Sequence, residues 1–259
     1  MSEPASETIH HLVANGVATI TIDDPATRNS LSGPTLDALG EACRASKDDP
    51  TVRVVVVRGG GDRVFVSGGN ISEVNRAVGG EHKSPGAAAM LALTTIDKPV
   101  IAAINGHCLG GGLLVALSAD IRIAVDHATF GVPAVRLGVA YPQSGTDLLV
   151  REVGASRARE ILMTGERLDA RAAESIGLVH QAVPADDFDT AVDNLVATLL
   201  ANAPLSMQAG KVAVQAAATG DTADLEAART AVAAAWASDD AKEGTAAFLE
   251  KRPADFQGS

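Results

Sequence analysis

Two runs, VRVVVVRG (Val52–Gly59) and KPVIAAING (Lys98–Gly106), are almost continuously apolar and end at glycine. A strand with one face in water alternates polar and apolar residues. A strand that does not alternate must be covered on both faces. The two runs therefore predict a sheet with layers on both sides. DIRIAV (Asp120–Val125) reads as a third such strand. VATITID (Val17–Asp23) alternates and is β-branched, so it reads as a strand with one wetter face. Pro34 opens a helix through Ala45, and a helix of about two turns follows the glycine triplet Gly110–Gly112, through Ala119.

From Ser144 the texture changes. SGTDLLVREVG, SRAREILMTG and DARAAESIG are helical in pattern and each ends at glycine, and VHQAVP is a brief strand. After Asp186 the chain reads as helix almost throughout. The expected fold class is α/β with a C-terminal helical region, divided as a core over 1–190 and helices over 191–259. With aromatics at 3%, that core must be built from Ala, Val, Leu and Ile.

A net charge of -11 argues against nonspecific nucleic-acid or anionic-membrane binding. The N-terminal MSEPASETIHH carries no apolar signal core, and no run reaches transmembrane length. Cys43 and Cys108 form no disulfide framework and no metal-ligand spacing. A cytoplasmic chain without membrane or nucleic-acid partners is the expectation.

Two glycine-tipped loops follow predicted buried segments. They are SGGN (Ser67–Asn70) and LGGGL (Leu109–Leu113). Glycine lets a backbone N–H approach a ligand closely, and a helix beginning near Gly111 adds further unpaired N–H groups. No GxxxxGK[ST], GxGxxG or HExxH occurs, so phosphate-loop, dinucleotide and zincin chemistry have no motif here. His10 and His11 read as a solvated start, and His107, His127 and His180 as structural residues.

Seven segments now carry a resemblance: DDPATRNSLS, VVVVRGGGDRVFVSGGNISE, KPVIAAINGHCLGGG, ADIRIAVDHATFGVP, LGVAYPQSGT, ILMTGERLDARAAESIGLVHQAVP and SDDAKEGTAAFLEKRPADF. In this order and over nearly the whole length, the chain resembles the crotonase (enoyl-CoA hydratase/isomerase) superfamily. The resemblance implies a spiral of ββα turns with a helical C-terminus, assembled as a homotrimer or homohexamer. It implies an acyl-CoA substrate whose thioester enolate is held by two backbone N–H groups, those of Gly69 and Gly111. Coenzyme A arrives as part of the substrate, so no separate cofactor is expected. Arg28 and Ser30 match the loop along the nucleotide part of CoA, and Ser67 and Ile71 match pantetheine-side positions. Phe248 and Lys251 match positions that reach a neighbouring subunit's CoA.

The departures are as informative as the matches. Hydratases of the superfamily place glutamates at GGGxE and FGxPE; here the motifs read GGGLL and FGVPA, with Leu114 and Ala134 in the acyl site instead. Neither can transfer a proton, and general acid–base catalysis typically contributes about 10²–10⁴-fold. Tyr141 is the remaining candidate catalytic side chain. It matches a tyrosine that orients a substrate carboxylate in decarboxylases similar to methylmalonyl-CoA decarboxylase. Ser67, Ser144, Asp147 and His107 are further polar groups of the region. Three readings stay open: an enolate-stabilising acyl-CoA enzyme without the two glutamates, a malonyl-type decarboxylase using Tyr141, and a non-catalytic acyl-CoA-binding protein.

Overall fold

The computed structural model describes residues 8–70 and 91–259. Strands β1 (Ile9–Ala14), β2 (Val17–Ile22), β3 (Val54–Gly59), β5 (Val100–Ile104), β7 (Ile121–Val125) and β10 (Gln181–Val183) form one sheet, in the order β1-β2-β3-β5-β7-β10. A second sheet holds β4 (Val64–Val66), β6 (His107–Leu109), β8 (Thr129–Gly131) and β9 (Leu168–Asp169), in that order. Every pairing from β2 through β10 in the large sheet is parallel. In the small sheet β4, β6 and β8 run parallel and β9 is antiparallel.

The interleaving shows how the chain winds. β3, β5 and β7 are neighbours in one sheet, and β4, β6 and β8, which follow them directly, are neighbours in the other. Each turn of a spiral thus gives one strand to each sheet. The corners are tight. A Cβ on Gly106, between β5 and β6, would fall 2.6 Å from Val64 N, so no side chain fits there. Beside it the buried Asn105 binds Gly59 and Gly61 carbonyls at 2.9 and 2.7 Å and accepts from Gly59 N–H at 3.1 Å. One side chain thereby satisfies the backbone groups that the corner takes out of the ladder.

The predicted buried strands are buried. All five residues of β5 and Val54–Val57 of β3 lie in the core, which also holds Leu36, Leu39 and Cys43 of α1 (Gly33–Asp48). Ser32 caps that helix by accepting from Thr35 N–H, with Pro34 in the first turn. Beyond the core lie α5 (Phe188–Leu200), α6 (Pro204–Thr219), α7 (Thr222–Ala237) and α8 (Asp239–Glu250), the helical region expected after Asp186.

The structure refines four of the sequence readings. His10 and His11 are exposed as expected, but they stand in β1, paired in register with β2 across an Asn15-Gly16 turn. Both turn residues have positive φ, 51° and 81°, which Asn-Gly supplies readily. The segment just before SGGN, around Phe65, forms β4 rather than loop. The stretch read as helix through Ala119 is α2 (Gly111–Leu117), ending at Ser118. The two helical segments read on either side of Gly154 meet as α3 (Gln143–Thr164), broken where Gly154 adopts φ 74° and ψ 161°, and the DARAAESIG helix is α4 (Ala170–Ser175).

Candidate active site

The three short strands of the small sheet end side by side. Cys108 pairs with Val66 on one side and with Phe130 on the other. The segments that follow, Ser67–Asn70, Gly110–Gly112 and Val132–Ala134, therefore leave the same edge together, at the carboxyl ends of parallel strands where α/β folds place ligands.

The two glycine loops touch. A Cβ on Gly110 would lie 3.9 Å from Gly68 Cα. Gly68 itself has φ 124° and Gly110 has φ 52°, conformations that glycine adopts without strain. Gly69 sits in a lone parallel bridge to Leu31. That bridge uses the C=O of Gly68 and the N–H of Asn70, at 2.8 and 3.0 Å from Leu31 N and O. The N–H of Gly69 faces the other way and has no hydrogen-bond partner among the described residues. Gly111 is the first residue of α2, where an N–H has no helical acceptor, and it too is unpartnered among the described residues. Both glycines are half-buried.

The Arg28–Ser30 loop is built against the first of these. Arg28 and Asn29 take left-handed backbone conformations, φ 60° and 56°. The buried Asn29 side chain accepts from Asp24 N–H and donates to the carbonyls of Val64 and Phe65 at 2.9 and 3.3 Å, sewing the loop to β4. Ser67 donates to Thr27 O at 3.4 Å. Ser30 is buried and its N–H reaches the Thr27 hydroxyl, while Arg28 is exposed. Arg28, Ser30, Ser67 and Gly69 are thus brought together, and Ile71 lies outside the described residues. Phe248 and Lys251 are not gathered there within one chain. Phe248 is 83% exposed and Lys251 ends α8, which packs chiefly on α7. Beside them Arg252 is clamped by Glu243 and Glu250.

Leu114 is fully buried in α2 and its N–H bonds Gly110 O at 3.2 Å. Ala134 is half-buried and lines a cavity of about 300 Å³ with Val132, Val139, Tyr141, Thr146 and Leu162. Tyr141 is the titratable residue in that lining. Its hydroxyl donates to Gly110 O at 3.2 Å. Burial raises its pKa above the usual phenol value, so the group stays protonated. Under the ring is Gly145, where a Cβ would meet Tyr141 Cε1 at 2.6 Å. The role of Gly145 was not evident in the sequence, because SGT names no partner. Leu31 likewise gave no sign that it would orient Gly69.

The other polar candidates lie apart from this lining. His107 begins β6, and its Nδ1 is 2.7 Å from Thr129 Oγ1. Burial, then the charges of Arg167, His127 and Arg28, push its pKa down. Asp147 is exposed and accepts from Gln143. Cys43 and Cys108 are buried thiols, that of Cys43 pushed up to about 12. Among the described residues no group of three or more His, Cys, Asp or Glu is placed to hold a metal ion. Nor is any helix there long and apolar enough to cross a membrane.

The profile of the enoyl-CoA hydratase/isomerase family matches residues 13–259. The chain belongs to that family. It is 36% identical to a crotonyl-CoA hydratase of Syntrophomonas wolfei over 247 residues, covering 93% of this chain and 94% of that one. A short-chain-enoyl-CoA hydratase of Clostridium acetobutylicum is 34% identical, over 91% and 92% of the two chains. Among solved structures, an enoyl-CoA hydratase/isomerase family protein of Hyphomonas neptunium superposes with a TM-score of 0.91 at 33% identity, covering 99% of this chain and all (100%) of that one. The enoyl-CoA hydratase of Bacillus anthracis superposes with a TM-score of 0.88 at 29% identity, over 98% and 100%. The spiral of paired strands with its helical C-terminus is accordingly the crotonase fold, and the family acts on acyl-CoA substrates.

Proposed function

We propose that this family member binds an acyl-CoA with its thioester oxygen between the N–H groups of Gly69 and Gly111, and stabilises the enolate that forms when charge moves onto that oxygen. The observation that carries the reading is the pair of outward, unpartnered N–H groups on two touching loops. Such donors act most strongly on the charged state. Removing one typically lowers kcat by about 10²–10³-fold. The acyl chain extends into the cavity beside Ala134 and Tyr141, and the nucleotide lies toward Arg28, Ser30 and Ser67.

The named relatives hydrate short enoyl-CoAs. The same reaction here would lack carboxylates at positions 114 and 134, so water addition is expected to be slow beside other acyl-CoA chemistry at the same hole. The decarboxylase reading gains nothing from the geometry, since the one hydroxyl proton of Tyr141 is directed at Gly110. Large apolar side chains left in solvent on α7 and α8, Trp236 at 82% and Leu249 at 75% exposed, support assembly as a trimer or hexamer.

The test is turnover of a mixed acyl-CoA panel, followed by mass spectrometry, for the wild-type protein and Gly111→Pro. Proline is tolerated at a first helical position but has no N–H. Water addition, isomerisation and loss of CO₂ appear as distinct mass or retention changes. Equal turnover by the two proteins would defeat the oxyanion reading, and tight binding without turnover in both would make the chain an acyl-CoA-binding protein.

A further inference from the structure

The carbonyl of Gly110 and the N–H of Gly111 are two ends of one planar amide. Whatever holds the first fixes the direction of the second. That carbonyl receives two donors, the Leu114 N–H at 3.2 Å and the Tyr141 hydroxyl at 3.2 Å. The helix supplies the first as a matter of course. The second comes from a side chain 31 positions along the chain, beyond β7 and β8.

The peptide needs such a holder. Gly110 has φ 52° and ψ −114°, and without a Cβ little steric force resists rotation of the plane that follows. Two donors on the oxygen define that plane. They also draw electron density toward the carbonyl, which makes the amide N–H at the other end a stronger donor.

We propose that Tyr141 is a positioning residue whose hydroxyl locks and polarises the Gly110–Gly111 peptide, so that the Gly111 N–H is held ready for the thioester oxygen. The proposal rests on the reading of Gly69 and Gly111 as oxyanion donors. It differs from a role in orienting a substrate carboxylate, because the proton of the hydroxyl is given to the protein's own backbone. The setting of the ring fits this. Tyr141 packs against the core, and Gly145 leaves the space that its edge occupies.

The experiment is isotope-edited infrared spectroscopy of bound [1-¹³C]butyryl-CoA, a saturated thioester. A working hole moves the carbonyl stretch of the bound probe to lower frequency than in water. In Tyr141→Phe this downshift is expected to fall to less than half, with kcat down roughly tenfold and KM changed less than about threefold, since one hole donor is weakened rather than removed. The chain has a single tyrosine, so biosynthetic 3-fluorotyrosine alters this position alone. The more acidic phenol is a stronger donor, and the downshift is expected to exceed that of the wild type. This second protein keeps the ring and its packing, so it decides the matter even where Tyr141→Phe fails to fold. Equal downshifts in the wild-type and altered proteins overturn the positioning role and leave the hole intact. Absence of any downshift in the wild type removes the hole, and the proposal with it.

Discussion

Leu31 is hydrogen-bonded to both neighbours of Gly69 and to neither backbone group of Gly69 itself. This is the ordinary geometry of a parallel bridge, placed where no strand continues. It leaves the Gly69 N–H pointing away from Leu31. On the facing loop, the Gly110–Gly111 peptide is held by the bonds that Leu114 N–H and the Tyr141 hydroxyl make to Gly110 O. Both N–H groups belong to the backbone, so their spacing depends on how closely β4 and β6 bring their loops together.

That closeness predicts a sharp contrast between two glycine substitutions. A Cβ on Gly112 would fall 2.7 Å from Val66 Cβ, and the Val66 carbonyl is nearer still. Gly112→Ala must push α2 away from β4, at a cost of about 1–3 kcal/mol for forced overpacking. Thermal unfolding should show the loss, and acyl-CoA affinity should fall with it. Gly210 is exposed in the middle of α6 with open space around it. Gly210→Ala should raise stability by roughly 0.5–1 kcal/mol through helix propensity. Equal unfolding temperatures for the two variants would mean that α2 does not pack on β4 as described.

Much of this arrangement was legible in the sequence. Long apolar strands, the C-terminal helices and the two glycine loops all announced themselves, because burial on both faces and helical spacing leave strong patterns. What was not legible has a common physical cause. β4, β6 and β8 are three residues each, too short for any periodicity to register. They owe their conformation to the neighbours with which they pair. The partners of the site were hidden for the same reason. Nothing local marks Leu31 as the residue that orients Gly69, or Gly145 as the floor under Tyr141. The β1 hairpin is different: its Asn15-Gly16 turn was a readable local signal.

Arg122 is 1% exposed, and its guanidinium ties three elements together. It donates to Leu178 O and Ala119 O, each at 2.9 Å, and is paired with Glu152 of α3. Arg122→Met removes those donors and leaves the Leu178 and Ala119 carbonyls without their partner, at about 1–3 kcal/mol for each. Glu152→Gln keeps an acceptor for the guanidinium and should cost less, about 1–2 kcal/mol. Urea denaturation of the two variants checks the order. A larger loss in Glu152→Gln would contradict it.

His107 and His180 both have pKa values held below the ordinary 6.5, in each case chiefly by burial. The Nδ1 of His180 accepts the Arg122 N–H at 3.1 Å, which protonation would abolish. The unfolded chain therefore binds more protons than the folded one as pH drops through about 6.5. By linkage the unfolding free energy is level above that value and decreases below it. Denaturation midpoints should be constant from about pH 8 to 7 and decline toward about pH 5.5, above the range where carboxylates titrate. His107→Gln should flatten part of the decline. An unfolding free energy that rises toward pH 5.5 would reverse the sign and refute the assignment.

The last prediction concerns the proton carriers themselves. Ala134 lines the cavity beside Tyr141, and Leu114 sits in the first turn of α2 with 0% exposure. Both are neighbours of the Gly110–Gly111 peptide through Tyr141 or through the Leu114 N–H. A carboxyl introduced at 134 would be partly desolvated, which raises its pKa toward the range useful for proton transfer. Ala134→Glu is therefore expected to increase hydration of crotonyl-CoA. Leu114→Glu alone should destabilise the fold, because it buries a carboxyl without a partner. In the double variant, which restores both carboxyls, hydration is expected to rise by about 10²-fold over the wild type. The measurement is the loss of enoyl-thioester absorbance under matched, saturating substrate, with folding checked by circular dichroism. A folded double variant that binds crotonyl-CoA and hydrates it no faster than the wild type would show that the two absent carboxylates are not what limits water addition at this hole.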